Sequence, residues 1–192
     1  MVMQAKRRYT PEKYLELERA AEYKSEYLNG EIYGRSGGTL RHSAIAVNVS
    51  SEIRTQLKGK PCQVFSRDGK VRSTPSGLLA YPDVSVACGE LLFHDSHRDV
   101  LTNSVVIVEV LSDSTEAYDR GRKFFYYRQI ETLTDYLLVS QNEPYVDHHS
   151  KQADGRWVIN SAVGLESSLV IATIDCTLLL AEIYDKIPFA SE

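Results

Sequence analysis

Two acidic residues stand where an isolated charge is costly, and together they suggest a metal site. Glu109 lies within the apolar run SVVIVEVL (104–111), the composition of a strand buried on both faces. A carboxylate is seldom buried in such a strand unless it is paired or bound to a metal. Asp83 follows Pro82 at the start of the predicted strand PDVSVACG (82–89). If the two strands are neighbours, both carboxylates reach one end of the sheet and form a hard-oxygen site for Mg²⁺ or Mn²⁺.

The chemistry that such a site would support is phosphodiester hydrolysis. A metal held by acidic residues polarises a phosphoryl oxygen, lowers the pKa of its bound water and neutralises the charge that develops. The residues alone leave other roles open. Glu109 could pair with an Arg or Lys of the adjacent helix, and Asp83 could be a strand-entry residue after proline.

The first half of the chain contains elements that could position these acids. Thr10 and Pro11 predict the start of a short helix, and Asn29-Gly30 between two mildly apolar runs predicts a hairpin. Between Arg41 and Leu57 an apolar residue recurs every four positions, which indicates a helix with one buried stripe. CQVFS (62–66) and KVRS (70–73), on either side of Arg67-Asp68-Gly69, suggest a pair of strands.

The second half continues the alternation of strands and helices. SVVIVEVL is followed by a predicted helix, EAYDRGRKFFYYRQI (116–130), and by the strand TDYLLVSQ (134–141). We expect these two strands to form a parallel βαβ pair. A hairpin (145–162), a strand (168–174) and a closing helix (178–187) complete the pattern. Between residues 41 and 141 the core order is helix, strand, strand, strand, helix, strand, so we predict a mixed α/β sheet with flanking helices and with hairpins at both ends of the chain.

Composition sets limits on the class of protein. The 192 residues suit one domain over 1–192, with 43% hydrophobic and 25% charged residues and a formal charge of −4. This balance argues against a protein that is basic all over, but it allows a local basic patch. Cys62, Cys88 and Cys176 are expected to be small core residues in a reducing compartment rather than disulfide partners. With no long apolar run and no apolar segment after MVMQAKRRYTPEKY, we expect a cytoplasmic protein without a membrane partner.

The order of motifs resembles a known family. Asp83 and Glu109-Val110-Leu111, on consecutive predicted strands after a helix, resemble the PD-(D/E)XK nuclease superfamily. More narrowly, the ordered segments YPDVSV, VEVLSDST, DRGRKFFYY and TDYLLVSQ resemble the Uma-two family of bacterial restriction endonucleases, as do YLNGEIY and the position of His42. The resemblance implies a restriction-endonuclease-like fold and a divalent-metal-dependent endonuclease acting on nucleic acid, with DNA as the expected substrate. Many nucleases of this fold cut two strands as dimers, so it also points to a homodimer as one candidate assembly.

Three further residues enter through this resemblance. Leu111 occupies the slot where the wider superfamily has a lysine that orients the attacking water, and Lys123 on the following helix is the best replacement. Asp119 and Lys123 are four residues apart, however, and could form a surface ion pair. Glu26 could add a third acid to the site or be a solvated hairpin residue. His42 could act in the site or simply cap or pack the helix.

Two other classes of function remain open from the sequence. The chain could be a nuclease-fold module without catalytic activity that binds nucleic acid or a protein, and a Lys123 that points to solvent would favour this class. It could also be a metal enzyme built on the cluster of His94, Asp95, His97 and Asp99. We expect that cluster, and a second one at Asp147-His148-His149, to be solvated surface.

Overall fold

A six-stranded mixed sheet forms the centre of the molecule and carries the strands that the sequence predicts for Asp83 and Glu109. The structure is a computed structural model that describes residues 8–35 and 37–189. The helices are Pro11–Ala20 (α1), Leu40–Gln56 (α2), Glu116–Tyr118 (α3), Phe124–Tyr127 (α4) and Leu180–Ile183 (α5), with a π-turn at Asp119–Lys123 and a 3₁₀ turn at Ala172–Ile174. The strands are Ser25–Leu28 (β1), Glu31–Gly34 (β2), Cys62–Ser66 (β3), Lys70–Arg72 (β4), Leu78–Ala80 (β5), Val84–Cys88 (β6), Val100–Leu101 (β7), Val106–Val110 (β8), Asp135–Val139 (β9), Tyr145–Lys151 (β10), Trp157–Val163 (β11), Ser168–Ile171 (β12) and Cys176–Leu179 (β13).

The strand order of the central sheet confirms the predicted α/β core. The order is β11-β10-β9-β8-β6-β3, with β8 and β9 parallel and the other neighbours antiparallel. Along the chain this sheet is built as α2, β3, β6, β8, helix, β9, which is the predicted order helix, strand, strand, strand, helix, strand. The hairpin β10–β11 extends the sheet at its C-terminal side. A second sheet, in the order β2-β1-β5-β4-β7, is formed by the N-terminal hairpin and the segments that interrupt the core.

Local sequence signals explain several of these elements. The hydroxyl of Thr10 caps α1, and Pro11 is its first residue. Asn29 and Gly30 form the turn of the β1–β2 hairpin with φ of 46° and 94°, the left-handed values that the favoured two-residue turn requires. In α2 the predicted apolar stripe is buried against the central sheet. The β8 side chains are buried on both faces, as the apolar run predicts.

The hydrophobic core lies on both faces of the central sheet. One face packs against α2, the β12–β13 hairpin and α5. The other face packs against α4 and the second sheet. Tyr14 and Leu15 of α1 belong to a smaller cluster with residues of the second sheet. The end of the central sheet where β6 begins and β8 ends is therefore enclosed from several sides.

Three expectations about individual elements are wrong. β3 and β4 do not pair with each other, because the chain leaves the central sheet at the turn 67–69 and β4 joins the second sheet between β5 and β7. The helix predicted over 116–130 is interrupted by the π-turn, and the predicted closing helix begins as strand β13.

The cysteine expectation is also wrong for two of the three residues. Cys62 and Cys88 form a disulfide, because they stand directly opposite each other on the antiparallel strands β3 and β6. Cys176 is buried with a free thiol, as expected.

The expected cytoplasmic location stays a prediction. No helix in the described ranges is long and apolar enough to cross a membrane.

Candidate active site

The predicted site residues line a single cavity at the end of the central sheet. Its volume is about 430 Å³. Glu26, His42, Asp83, Glu109 and Lys123 all contribute to its wall. Glu26 lies in β1, His42 in the first turn of α2 and Asp83 just before β6. Glu109 lies in β8 and Lys123 ends the π-turn, so five segments that are distant in sequence meet here. The rest of the charged and aromatic lining is formed by Tyr33, Arg35, Arg67, Tyr118, Asp119 and Arg122.

Asp83 and Glu109 lie at the same end of two paired strands. β6 and β8 are antiparallel with Val84 opposite Val108, so the next residues outward are Asp83 and Glu109. The Asp83 carboxylate accepts a hydrogen bond from the backbone N–H of Val110 at 2.9 Å, which fixes it against the end of β8. Both acids are 2% exposed.

Lys123 is directed into the cavity. Its Nζ lies 2.8 Å from Oε1 of Glu109, 3.4 Å from Oδ1 of Asp119 and 3.6 Å from Oε1 of Glu26. Asp119 and Lys123 are both buried, so they do not form the surface ion pair that their spacing allows. Leu111, which holds the lysine slot of the wider superfamily, is buried in the apolar core.

The π-turn lies in the helical segment that presents this lysine. Asp119 begins the π-turn and Lys123 ends it, and α4 continues directly with Phe124. One turn further, the Tyr127 hydroxyl donates to Oε1 of Glu109 at 3.1 Å, so two side chains of one helical segment hold the same carboxylate oxygen. Single π-turns inside helices are often found at functional sites.

The two acids differ in their electrostatic surroundings. Burial raises the pKa of Glu109 to about 8, although the Lys123 ammonium opposes this shift. Burial also acts to raise the pKa of Asp83, but hydrogen bonding and charge attraction from His42, the Val110 amide and Arg35 lower it overall. Burial would lower the pKa of Lys123, yet the carboxylates of Glu109, Glu26 and Asp119 raise it well above its ordinary value. Lys123 is therefore an ammonium in this cavity.

His42 and Glu26 have surroundings that the sequence did not indicate. Thr39 is the N-cap of α2, so His42 is not the cap, and its Nε2 lies 3.1 Å from Oδ2 of Asp83. The other ring nitrogen, Nδ1, is buried and has no hydrogen-bond partner within the described residues. A Cβ atom at position 38 would lie 3.0 Å from Nδ1 of His42. The absence of a Cβ at Gly38 therefore leaves room for the imidazole ring. Glu26 is buried, and the reading of it as a solvated hairpin residue is wrong.

The structure adds residues that the sequence analysis missed. Arg35 lies 3.4 Å from Oδ1 of Asp83 and 3.9 Å from Oε1 of Glu26, and Arg67 lies 3.9 Å from Oδ1 of Asp83. Arg67 belongs to a predicted turn that was read only as a connection between strands. Tyr127 is a buried core residue whose hydroxyl donates to Glu109 in the site.

The two histidine clusters do not form metal centres. The carboxylates of Asp95 and Asp99 pair with Arg19, and His97 is exposed. Within residues 8–35 and 37–189, no group of three or more His, Cys, Asp or Glu side chains converges to hold a metal. His148 and His149 are buried, so the expectation of solvated surface is wrong there. The reason is that β10 is an inner strand, with the His149 ring packed on Phe124 and Tyr136 and His148 hydrogen-bonded to Asp135.

A mixed sheet in this strand order, with two carboxylates and a lysine at one end, places the protein in the nuclease fold class, and comparison with known proteins specifies the family. Residues 11–178 match the model of the Uma2 family, described as "Putative restriction endonuclease". The chain belongs to this family.

Relatives agree with this assignment. Two uncharacterized proteins of Synechocystis sp., slr1290 and sll1609, are 39% and 32% identical over 150 and 164 residues, covering 78% and 85% of this chain and 78% and 93% of theirs. A crystal structure from Anabaena variabilis, described as a "putative nuclease belonging to DUF820", superimposes with a TM-score of 0.77 and covers 94% of this chain and 99% of that one. At 16% identity this likeness concerns the fold.

Proposed function

We propose that this protein is a divalent-metal-dependent endonuclease that hydrolyses phosphodiester bonds of nucleic acid, with DNA as its substrate. The observation that carries the proposal is the position of Lys123. Its ammonium lies 2.8 Å from Glu109 in the cavity that Asp83 also lines, although the lysine slot on the strand holds Leu111. The Asp, Glu and Lys of the superfamily pattern are thus supplied together, with the lysine coming from a helix.

The donor groups suit Mg²⁺ or Mn²⁺. Asp83 and Glu109 offer hard carboxylate oxygens from adjacent strand ends. Mg²⁺ sites in proteins commonly use one or two carboxylates, with water and substrate phosphate completing the shell, so two acids are sufficient. When bound, the metal would polarise the phosphoryl oxygen and lower the pKa of a water molecule.

The chain's own residues would divide the remaining work. Lys123 would stabilise the negative charge of the phosphoryl group and orient the attacking water, with Asp119 and Glu26 holding its ammonium in place. His42 would keep the Asp83 carboxylate in position through its Nε2 contact. Arg35 and Arg67 lie beside Asp83 and are suited to hold neighbouring phosphate oxygens.

A Lys123 pointing to solvent would support the competing hypothesis of a module without catalytic activity. The lysine is instead buried among three carboxylates, which supports the nuclease proposal. Cutting both strands of a duplex would need two such sites, which a homodimer would supply. Light scattering on the purified protein measures whether it forms one.

A cleavage assay with matched variants tests the proposal. The wild-type protein is incubated with single- and double-stranded DNA and with RNA, in the presence of Mg²⁺ or Mn²⁺. We expect DNA cleavage that a chelator abolishes and that Glu109→Ala removes. Glu131→Ala, which changes an exposed acid after α4, should cut like wild type. Robust cleavage by a folded Glu109→Ala protein would sink the assignment of the site.

A further inference from the structure

A second cavity lies next to the first, on the other side of one turn. It also has a volume of about 430 Å³, and it is lined by residues 64–66 and 68–70, by Ser85 of β6, and by Phe93, Arg98, Asp99 and Leu101. Arg67 lines the first cavity, while its neighbours Ser66 and Asp68 line the second. Nothing in the proposed cleavage site uses this space.

Lys70 is the most unusual residue in the wall of the second cavity. Its side chain is buried, at 3% exposure, and its ammonium lies over the rings of Tyr14 and Tyr81, at 5.3 and 5.1 Å from their centroids. It makes no hydrogen bond or ion pair to any residue that the structure describes. Burial lowers the pKa of this amine. A buried amine without an acceptor is costly unless a ligand supplies one.

Two other polar groups of the wall also lack a hydrogen-bonding partner among the residues that the structure describes. The Ser85 hydroxyl is buried and unpaired in the described part of the chain. The guanidinium of Arg98 lies over the ring of Phe93 at 4.6 Å and forms no ion pair with the described residues. Stacking on Phe93 holds Arg98 at the cavity while leaving its N–H groups free to donate.

The charges in this wall favour an anion. Its two acids are already neutralised from outside, because Asp68 pairs with Lys24 and Asp99 pairs with Arg19 through two short contacts. Neither Lys70 nor Arg98 forms an ion pair with the described residues, and the carboxylates of Glu18 and Asp99 act on the Lys70 ammonium only from beyond ion-pair distance. Phe65 and Phe93 add aromatic surface on which a base can pack.

We propose that the second cavity binds a nucleotide, with its phosphate on Lys70, Ser85 and Arg98 and its base against Phe65 and Phe93. The nucleotide can come from two sources, a free nucleoside monophosphate or the substrate strand itself. The second source rests on the proposed nuclease function. The substrate strand is the favoured source because Ser85 follows Asp83 by two residues. This spacing places Ser85 about 7 Å from Asp83 along the chain.

Binding is tested first without any cleavage. Calorimetric titration with adenosine 5′-monophosphate, in the presence of a chelator, should show saturable binding. Adenosine, which lacks the phosphate, should bind at least about tenfold more weakly. Lys70→Met should weaken nucleotide binding by at least about tenfold, because it removes a charge-assisted hydrogen bond. Lys58→Met, which removes one positive charge at an exposed site, is the matched control and should bind normally.

Arg98→Gln provides a second variant in case Lys70→Met does not fold, because Arg98 is exposed. It should weaken binding several-fold while the melting temperature is unchanged. Equal affinity of wild type and a folded Lys70→Met protein, or of wild type and Arg98→Gln, would overturn the assignment of the cavity. The absence of saturable binding by the wild-type protein would overturn it as well.

A second arm identifies the source of the nucleotide and separates this inference from the proposed function. If the cavity holds part of the substrate strand, Lys70→Met and Arg98→Gln should raise KM for oligonucleotide cleavage and leave kcat unchanged. Nucleotide binding with an unchanged KM assigns the cavity to a free nucleotide. A protein that binds the nucleotide through Lys70 but cuts no nucleic acid would keep this inference and refute the nuclease proposal. A protein that cuts DNA but binds no nucleotide would do the reverse.

Discussion

Glu109 and Asp135 are both buried carboxylates on the parallel strands β8 and β9, but they lie at opposite ends of this pair. Asp135 accepts from Nε2 of His148 at 2.6 Å and from the Thr134 hydroxyl at 2.7 Å. Glu109 has the Tyr127 hydroxyl and the Lys123 ammonium. Burial acts to raise the pKa of both acids. At Asp135 the hydrogen bonds from His148, Thr134 and Thr173 outweigh it and lower the pKa, whereas the pKa of Glu109 rises to about 8.

This difference separates a structural acid from a candidate functional one. The partners of Asp135 come from the residue just before β9, from β10 and from the 3₁₀ turn, so the fold itself satisfies the charge. Glu109 faces a cavity, and its cation is the end of a long side chain shared with Glu26 and Asp119. A carboxylate that is incompletely satisfied by the fold retains a tendency to bind a cation from solution. Burial of an acid therefore does not by itself identify a functional site. The distinguishing feature is which parts of the molecule supply its hydrogen-bonding and charged partners.

The largest expected effect is the loss of cleavage on Glu109→Gln. The substitution keeps the shape of the side chain but removes the charge that would hold the metal, so we expect activity to fall at least about 10³-fold. The fold should persist, because Lys123 keeps Glu26 and Asp119 as partners. Cleavage rates and circular dichroism measure the two quantities. A variant that unfolds would instead place Glu109 in the same structural class as Asp135.

Asp135→Ala should show the opposite pattern, a loss of stability without a loss of function. It leaves His148 buried without its carboxylate, and breaking a buried pair in this way costs about 3 kcal/mol or more of unfolding free energy. Urea unfolding measures this change. At temperatures where the protein is folded, kcat should equal that of wild type. A fall in kcat with unchanged stability would contradict the comparison.

Asp135 and Glu109 also show what the sequence could and could not predict. Glu109 was identifiable because its neighbours form an apolar run, and its pairing with Asp83 followed from the predicted strand order. The partners were harder to predict. Lys123 was identified only as a replacement for the missing strand lysine, and Arg35 was not identified at all. The packing of the second sheet determines which distant segments contact one another. The local periodicity of hydrophobic residues does not predict this packing.

The misassigned elements have the same cause. Cys62 and Cys88 are 26 residues apart, and only the register of β3 on β6 brings them together. His148 was expected at a solvated surface, whereas β10 is an inner strand on which His148 is hydrogen-bonded to Asp135 of β9. Elements defined by periodicity and turn residues, such as α2 and the Asn29-Gly30 hairpin, were predicted correctly. Some contacts between strands distant in sequence, such as that of β3 with β6, were not.

A smaller effect is expected from Tyr127→Phe, which removes the hydroxyl that donates to Glu109. We expect kcat to fall about five- to tenfold with little change in KM, because the carboxylate loses one positioning hydrogen bond worth about 1 kcal/mol. Tyr184→Phe is the matched control, since among the described residues its hydroxyl hydrogen-bonds only with backbone groups, the carbonyls of Ser140 and Tyr145 and the N–H of Tyr145. It should cost similar stability and leave kcat unchanged. Equal kinetics for both variants would mean that Tyr127 has a purely structural role.

The smallest effect concerns the pH dependence of stability, and it tests Asp135 in a different way. Because the pKa of Asp135 is lower in the folded state, its contribution to stability is complete above its unfolded value of about 3.9 and is lost as the pH falls from there through the folded pKa. Other acids with lowered pKa values titrate in the same range, so the quantity to measure is the difference between wild type and Asp135→Asn. This difference in unfolding free energy should be constant near neutral pH and shrink below about pH 4. A difference that stays constant down to pH 2 would show that the Asp135 charge does not stabilise the fold, and the contrast with Glu109 would then rest on geometry alone.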